Sequence, residues 1–206
     1  MIFVFMGILL FISLVSGGTI ALLAYEMFHQ KFNRALGLLC GLLLVGLLVF
    51  EIIPESLESY EKLSLLLGFI IGYFFYSLTV LHSHNEKKHV SSMTPLIFGL
   101  FLHTIPLSLT LGSLLNNQMF PIAITTSTIL HHIPEGFALT SLFLLRKKKL
   151  MSLLVCFLSL SVCSIFFMWI GKDIFIAPRI QGVLIGISIC LIGLTSWKEF
   201  IFPSNK

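Results

Sequence analysis

Leu130-His131-His132-Ile133-Pro134-Glu135-Gly136 lies inside an apolar run at about 119–145. That run is long enough to cross a bilayer, which takes ~20 residues. Two imidazoles and a carboxylate held at mid-membrane are costly, and such groups mark function by default. On a helix, His131 and Glu135 stand at i and i+4, and His132 and Glu135 at i and i+3, so the carboxylate shares a face with either ring. Pro134 has no N–H and releases the carbonyl of Leu130 from its helical bond. Gly136 leaves room for the close approach of another helix. Nitrogen, carboxylate and released carbonyl together suit a divalent transition metal.

A second copy lies upstream. Leu102-His103-Thr104-Ile105-Pro106 repeats Leu130-His131-His132-Ile133-Pro134 inside another apolar run, at about 93–115. Interrupted helices in corresponding positions of a repeat point to the binding site of a transporter. His103 lies about ten residues into its span and His131 about twelve into the next, counted from opposite faces. At ~1.5 Å per residue both reach the middle of a ~30 Å hydrocarbon core.

These two motifs resemble those of the ZIP family of zinc and iron transporters. That family carries a His-Asn-x-Pro-Glu-Gly type motif in its fourth span and a related one in its fifth. His131-His132-Ile133-Pro134-Glu135-Gly136 is similar to the fifth-span motif. In the fourth span His103 and Pro106 stand, but Thr104 replaces the usual Asn, and Leu107-Ser108 replaces the acid and glycine. The resemblance implies a metal site of His103, His131, His132 and Glu135, with Zn²⁺ or a similar divalent ion as cargo. In the family an acid in span 6 often completes a two-metal site. Span 6 here has no Asp or Glu, and Ser161, Ser164, Cys156 and Cys163 are its only candidate ligands. One principal ion is therefore expected, with His103 the weaker donor because its acidic companion is gone. Thr104 reads as a hydroxyl bonded back to its own helix.

Composition sets the class. The chain has 206 residues, 57% hydrophobic and 11% charged, with a mean hydropathy of +1.02. This excludes an ordinary soluble domain and implies an all-α, polytopic membrane bundle in a single transmembrane domain. About seven spans are expected, at 2–25, 35–53, 63–81, 93–115, 119–145, 150–171 and 180–197. A cytosolic loop at 82–92 carries His82, His84 and His89, resembling the His-rich loop of ZIP proteins. An Asn116-Asn117 turn joins spans 4 and 5, and Arg146-Lys147-Lys148-Lys149 separates spans 5 and 6. Span 1 reads as a span rather than a cleaved signal, because no Lys or Arg precedes it. The four cysteines fall in apolar runs without metal-finger spacing and read as reduced packing residues.

Spans 2 and 7 are loosely alike. Each carries paired glycines and then an acid followed by a proline: Glu51 and Pro54, Glu199 and Pro203. This fits a ZIP-like inverted repeat, although the family's eighth span has no counterpart here. Glu51 and Glu55 read as marking a solvated helix end, where they could also concentrate cations. Gly37 and Gly41, Gly68 and Gly72, and Gly182 and Gly186 are four apart, a spacing that serves internal packing or a homodimer.

The basic residues give a topology. Ten Lys and Arg fall on one side of a seven-span chain and three, Lys62, Lys172 and Arg179, on the other. The positive-inside rule then puts the N-terminus outside and the C-terminus in the cytosol, in the plasma membrane. The partners expected are the bilayer and a divalent metal ion. The net charge of +4 calls for no nucleic acid, since the basic residues sit at membrane boundaries. The leading function is transport of zinc or a similar ion toward the cytosol by alternating access. Two alternatives are a degenerate relative acting as a metal sensor or scaffold, and an intramembrane zinc enzyme. The sequence has no His-Glu-x-x-His motif and no separate general base near the site, so the expected class is not an enzyme.

Overall fold

Apolar runs of this length have one stable backbone solution in lipid, where every N–H and C=O must be satisfied within the segment. The computed structural model describes residues 2–27, 33–85, 93–116, 122–174 and 177–201, and these fold as an all-α bundle. Helix α1 spans Ile2–Met27. Helix α2 runs continuously through Asn33–Leu47, a π-helical turn at Leu48–Ile52, and Ile53–Ser59. Then follow α3 (Lys62–Asn85), α4 (Met93–Asn116), α5 (Ile122–Leu145) and α6 (Leu150–Asp173). Helix α7 covers Pro178–Thr195 and ends in a π-helical stretch at Ser196–Ile201. Six of the seven are long and apolar enough, as described, to cross a membrane; in α5 the described apolar stretch is Ile129–Leu145.

Spans 2, 3 and 7 each run past their expected ends, span 7 to Ile201 rather than 197. Span 2 was expected to stop near residue 53, but the helix passes through Pro54 to Ser59. Proline lacks the N–H for an ordinary i→i−4 bond. The chain widens into a π turn just before it, where the N–H of Ile53 reaches the carbonyl of Leu48, five residues back. The loop expected from residue 82 begins later, because α3 continues to Asn85 and carries His82 and His84 on its last turn. His89 and Asn117 lie outside the described residues. The basic break after α5 forms as a left-handed cap. Lys147 has φ 50°, and the N–H groups of Lys147 and Lys148 return to the carbonyls of Leu144 and Phe143, as a Schellman-type ending requires.

Lipid tails are as apolar as leucine, so small residues and close backbones, rather than hydrophobic exclusion, hold such helices together. Gly136 of the motif does this. A Cβ there would stand 2.1 Å from the carbonyl oxygen of Leu14, and one on Gly17 would stand 2.0 Å from that of Ile133, so α1 and α5 touch backbone to backbone. Gly68 and Gly72 meet Val183, Gly186 and Cys190, which locks α3 onto α7. Gly41 meets Phe200 and Ile201 of the π-helical end of α7. All three glycine pairs thus serve contacts inside one chain. Helix α4 packs on α6 and α7, and α2 on α5. Leu14, Leu44, Leu96 and Leu139 are fully buried at these seams, while Phe50, Phe74 and Met151 face outward.

Candidate functional site

Helices α4 and α5 bring their two motifs together at the centre of the bundle. The Nε2 atoms of His103 and His131 are 3.0 Å apart. Glu135 Oε1 is 3.7 Å from His131 Nε2. Nitrogen and carboxylate atoms of His103, His131 and Glu135 all fall within 4.8 Å of one another. Ligands at ~2.0–2.1 Å around tetrahedral zinc are separated by ~3.3 Å. A small shift of these side chains would place three donors around one ion.

His132 takes a different place. Its Nδ1 bonds Glu135 Oε2, while its Nε2 is buried without a hydrogen-bond partner among the described residues. It therefore stands behind the carboxylate and holds it, outside the group formed by the other three. Glu135 is divided between two tasks. One oxygen is fixed by His132, and the other, Oε1, is buried with no hydrogen bond among the described residues and faces the His131 ring.

The other sequence candidates lie outside this group. The Thr104 hydroxyl donates to the carbonyl of Leu100, one turn back. Ser108 and Ser164 bond each other across α4 and α6 at 2.8 Å. Ser161 bonds back to the carbonyl of Phe157. Cys156 and Cys163 are free thiols, partly buried on α6.

One residue of the site escaped the sequence reading. Glu51, read there as a solvated helix end, reaches His131: its Oε1 lies 3.0 Å from His131 Nδ1. It sits in the π turn of α2, and π turns recur at functional sites. A signal was present in the sequence. Glu51, His103 and His131 each stand three residues before a membrane proline, in Glu-Ile-Ile-Pro, His-Thr-Ile-Pro and His-His-Ile-Pro.

A cavity of about 450 Å³ connects this site to one end of the bundle. His103, His131 and Glu51 line it at depth, and Glu55, Ser59, Tyr60 and Gln181 line it toward the ends of α2 and α7. Tyr60 Oη stands 3.5 Å from the Gln181 side-chain oxygen. Burial raises the pKa of the Tyr60 hydroxyl, offset in part by a hydrogen bond to Thr110. Beside it, Arg179 donates to Glu61 at 2.8 Å. Two carboxylates, Glu51 and Glu55, therefore line the approach to a pair of imidazoles, a lining that favours a cation over an anion.

No protein-family model matches this chain, nor does any curated protein or solved structure.

Proposed function

We propose that this protein is a ZIP-like transporter that moves zinc or a similar divalent metal ion across the membrane. The observation that carries the reading is the convergence of His103, His131 and Glu135, from two proline-interrupted helices, beside a cavity that His103 and His131 line and that opens to one end of the bundle. Imidazole and carboxylate are the donors that zinc-class ions accept. A buried carboxylate oxygen with no hydrogen bond is poorly compensated unless a cation joins it. With the N-terminus outside, the cavity faces out, the ion enters past Glu55 and Glu51, and transport runs toward the cytosol of the cell. The Ser108 and Ser164 pair fills the space between α4 and α6 with neutral hydroxyls, which supports a single principal ion.

The test is flux in proteoliposomes across a panel of divalent ions, with Glu135→Gln as control. Saturable uptake of zinc or a neighbouring ion that the variant loses supports the reading. Flux no greater than that of empty liposomes for every ion rejects it. Metal binding without flux would favour the second reading, a non-transporting relative acting as a sensor or scaffold. The lost acids of spans 4 and 6 favour that alternative.

A further inference from the structure

The wall of the cavity holds a carboxylate, Glu51, that a metal at the His103, His131 and Glu135 group would not touch. Glu51 Oε1 meets Nδ1 of His131, whereas Nε2 of the same ring faces His103 and Glu135. The two nitrogens of an imidazole point away from each other. A carboxylate on Nδ1 therefore lies behind the ring relative to an ion on Nε2.

An ionised carboxylate can only accept. Its partner, Nδ1 of His131, must donate, and the neutral ring then carries its lone pair on Nε2, toward the other two donors. Among the described residues Glu51 is the acceptor that meets Nδ1 and so selects this tautomer over the other, which would turn an N–H into the group and block it. The same bond fixes the ring plane. Histidines that ligate metals commonly give their second N–H to a carboxylate or carbonyl, and that partner affects affinity strongly.

We infer that Glu51 is a positioning residue for metal binding: through Nδ1 it fixes the tautomer and orientation of His131 so that Nε2 is offered to a divalent cation. The inference rests on the proposed metal-binding function and adds to it a residue from a third helix. The π turn at Leu48–Ile52 is the local structure that carries Glu51 at this point. The arrangement also explains an asymmetry in burial. The Glu51 side chain is 42% exposed, whereas the His131 ring behind it is 5% exposed. Both side chains line the cavity, and the positioning group is the more open of the two.

The experiment measures Zn²⁺ affinity of the purified full chain by competition with a chromogenic chelator, together with the visible spectrum of the Co²⁺-loaded protein. The variants are Glu51→Leu, Glu51→Ala, Glu51→Gln and His131→Ala. Glu51 is open to the cavity, so each substitution fits without displacing a neighbour. The expected result is a loss of ~10–100-fold in affinity for leucine and alanine, with the cobalt bands unmoved because the ligand set is intact. Glutamine keeps an acceptor oxygen and should stay within a few-fold of the parent. That rescue separates positioning from charge.

Parental affinity in Glu51→Leu and Glu51→Ala overturns the inference and leaves the proposed function standing. Equal losses in leucine and glutamine also overturn it. Shifted cobalt bands would then mark Glu51 as a ligand, and unmoved bands an effect of charge alone. A parent that binds no metal, or a His131→Ala variant that binds as the parent does, sinks the proposed function and this inference together.

Discussion

His103 and His131 stand on different helices, yet their Nε2 atoms come within 3.0 Å deep inside the bundle. One hydrogen can lie between two such nitrogens, so in the metal-free protein one ring donates and the other accepts. For a metal to bind, both must present lone pairs at the same point. On the proposed function, the pair is a closed contact that a cation would have to open and occupy. Its distance is close to the ~3.3 Å separation of two ligands on tetrahedral zinc.

The α1–α5 seam gives a test of the fold itself. A methyl group on Gly136 would meet the backbone of Leu14 at 2.1 Å, and backbone cannot step aside as a side chain can. Gly136→Ala should therefore force α1 and α5 apart and cost about 1–3 kcal/mol. Gly46→Ala is the matched control, since a Cβ there meets nothing within 4 Å. Unfolding in detergent read by circular dichroism should show a lowered midpoint for the first variant and an unchanged or raised one for the second. Equal midpoints would mean that the two helices do not touch as described.

The fold class was legible in the sequence because lipid leaves so few choices. A run such as 150–171 with no acid can only be a helix across the membrane. The motif was legible because His131, His132 and Glu135 fall on one helical face next to a proline. Gly136 was read correctly as a point of close approach, and Thr104 as a hydroxyl bonded back to its helix. Glu51 was not, for two physical reasons. Its direction depends on the π turn before Pro54, which shifts the helical phase and defeats a 3.6-residue reading. Its role depends on α2 lying against α5, a pairing that periodicity along one helix does not encode. The separate place of His132 was hidden for a similar reason. Residues 131 and 132 both lie about one helical turn before Glu135, at i−4 and i−3, and only the arrival of α4 shows which ring meets His103.

Topology can be checked at the cavity mouth. Ser59 is exposed and lines the cavity. Lys148, in the basic break after α5, is exposed at the opposite end. With the native cysteines replaced, Ser59→Cys in intact cells should react with a membrane-impermeant thiol reagent, and Lys148→Cys should react only after permeabilisation. The reverse pattern would place the cavity on the cytosolic side and invert the direction of uptake.

Acidity should oppose metal handling. Each imidazole must offer a lone pair, and a proton occupies that lone pair as pH falls. Free histidine protonates near ~6.5. Zinc uptake should accordingly decline as pH is lowered through about 6.5, and recover when neutral pH is restored. Uptake that stays level between about pH 8 and about pH 5.5 would take the imidazoles out of the ion's path.

Glu135 gives the sharpest test of where the ion sits. It is the only acid in the sequence of the three apolar runs 93–115, 119–145 and 150–171, it is 1% exposed, and one of its oxygens has no hydrogen bond among the described residues. Glu135→Gln keeps the shape and the acceptor toward His132 but removes the negative charge. An amide is less costly to bury than a carboxylate, so the variant should fold at least as well as the parent. Zinc affinity should nevertheless fall by at least about tenfold, the equivalent of ~1.4 kcal/mol, because the charged ligand is gone. His131→Ala should do likewise. His103→Ala should match it, since the structure places that ring in the group at full burial, where the sequence suggested a weaker contribution. Metal analysis of the purified parent should find one principal ion per chain. The measurement is zinc binding and uptake for all three variants at matched expression. If Glu135→Gln binds and transports as the parent does, the ion does not rest between these residues, and the transporter reading loses its main support.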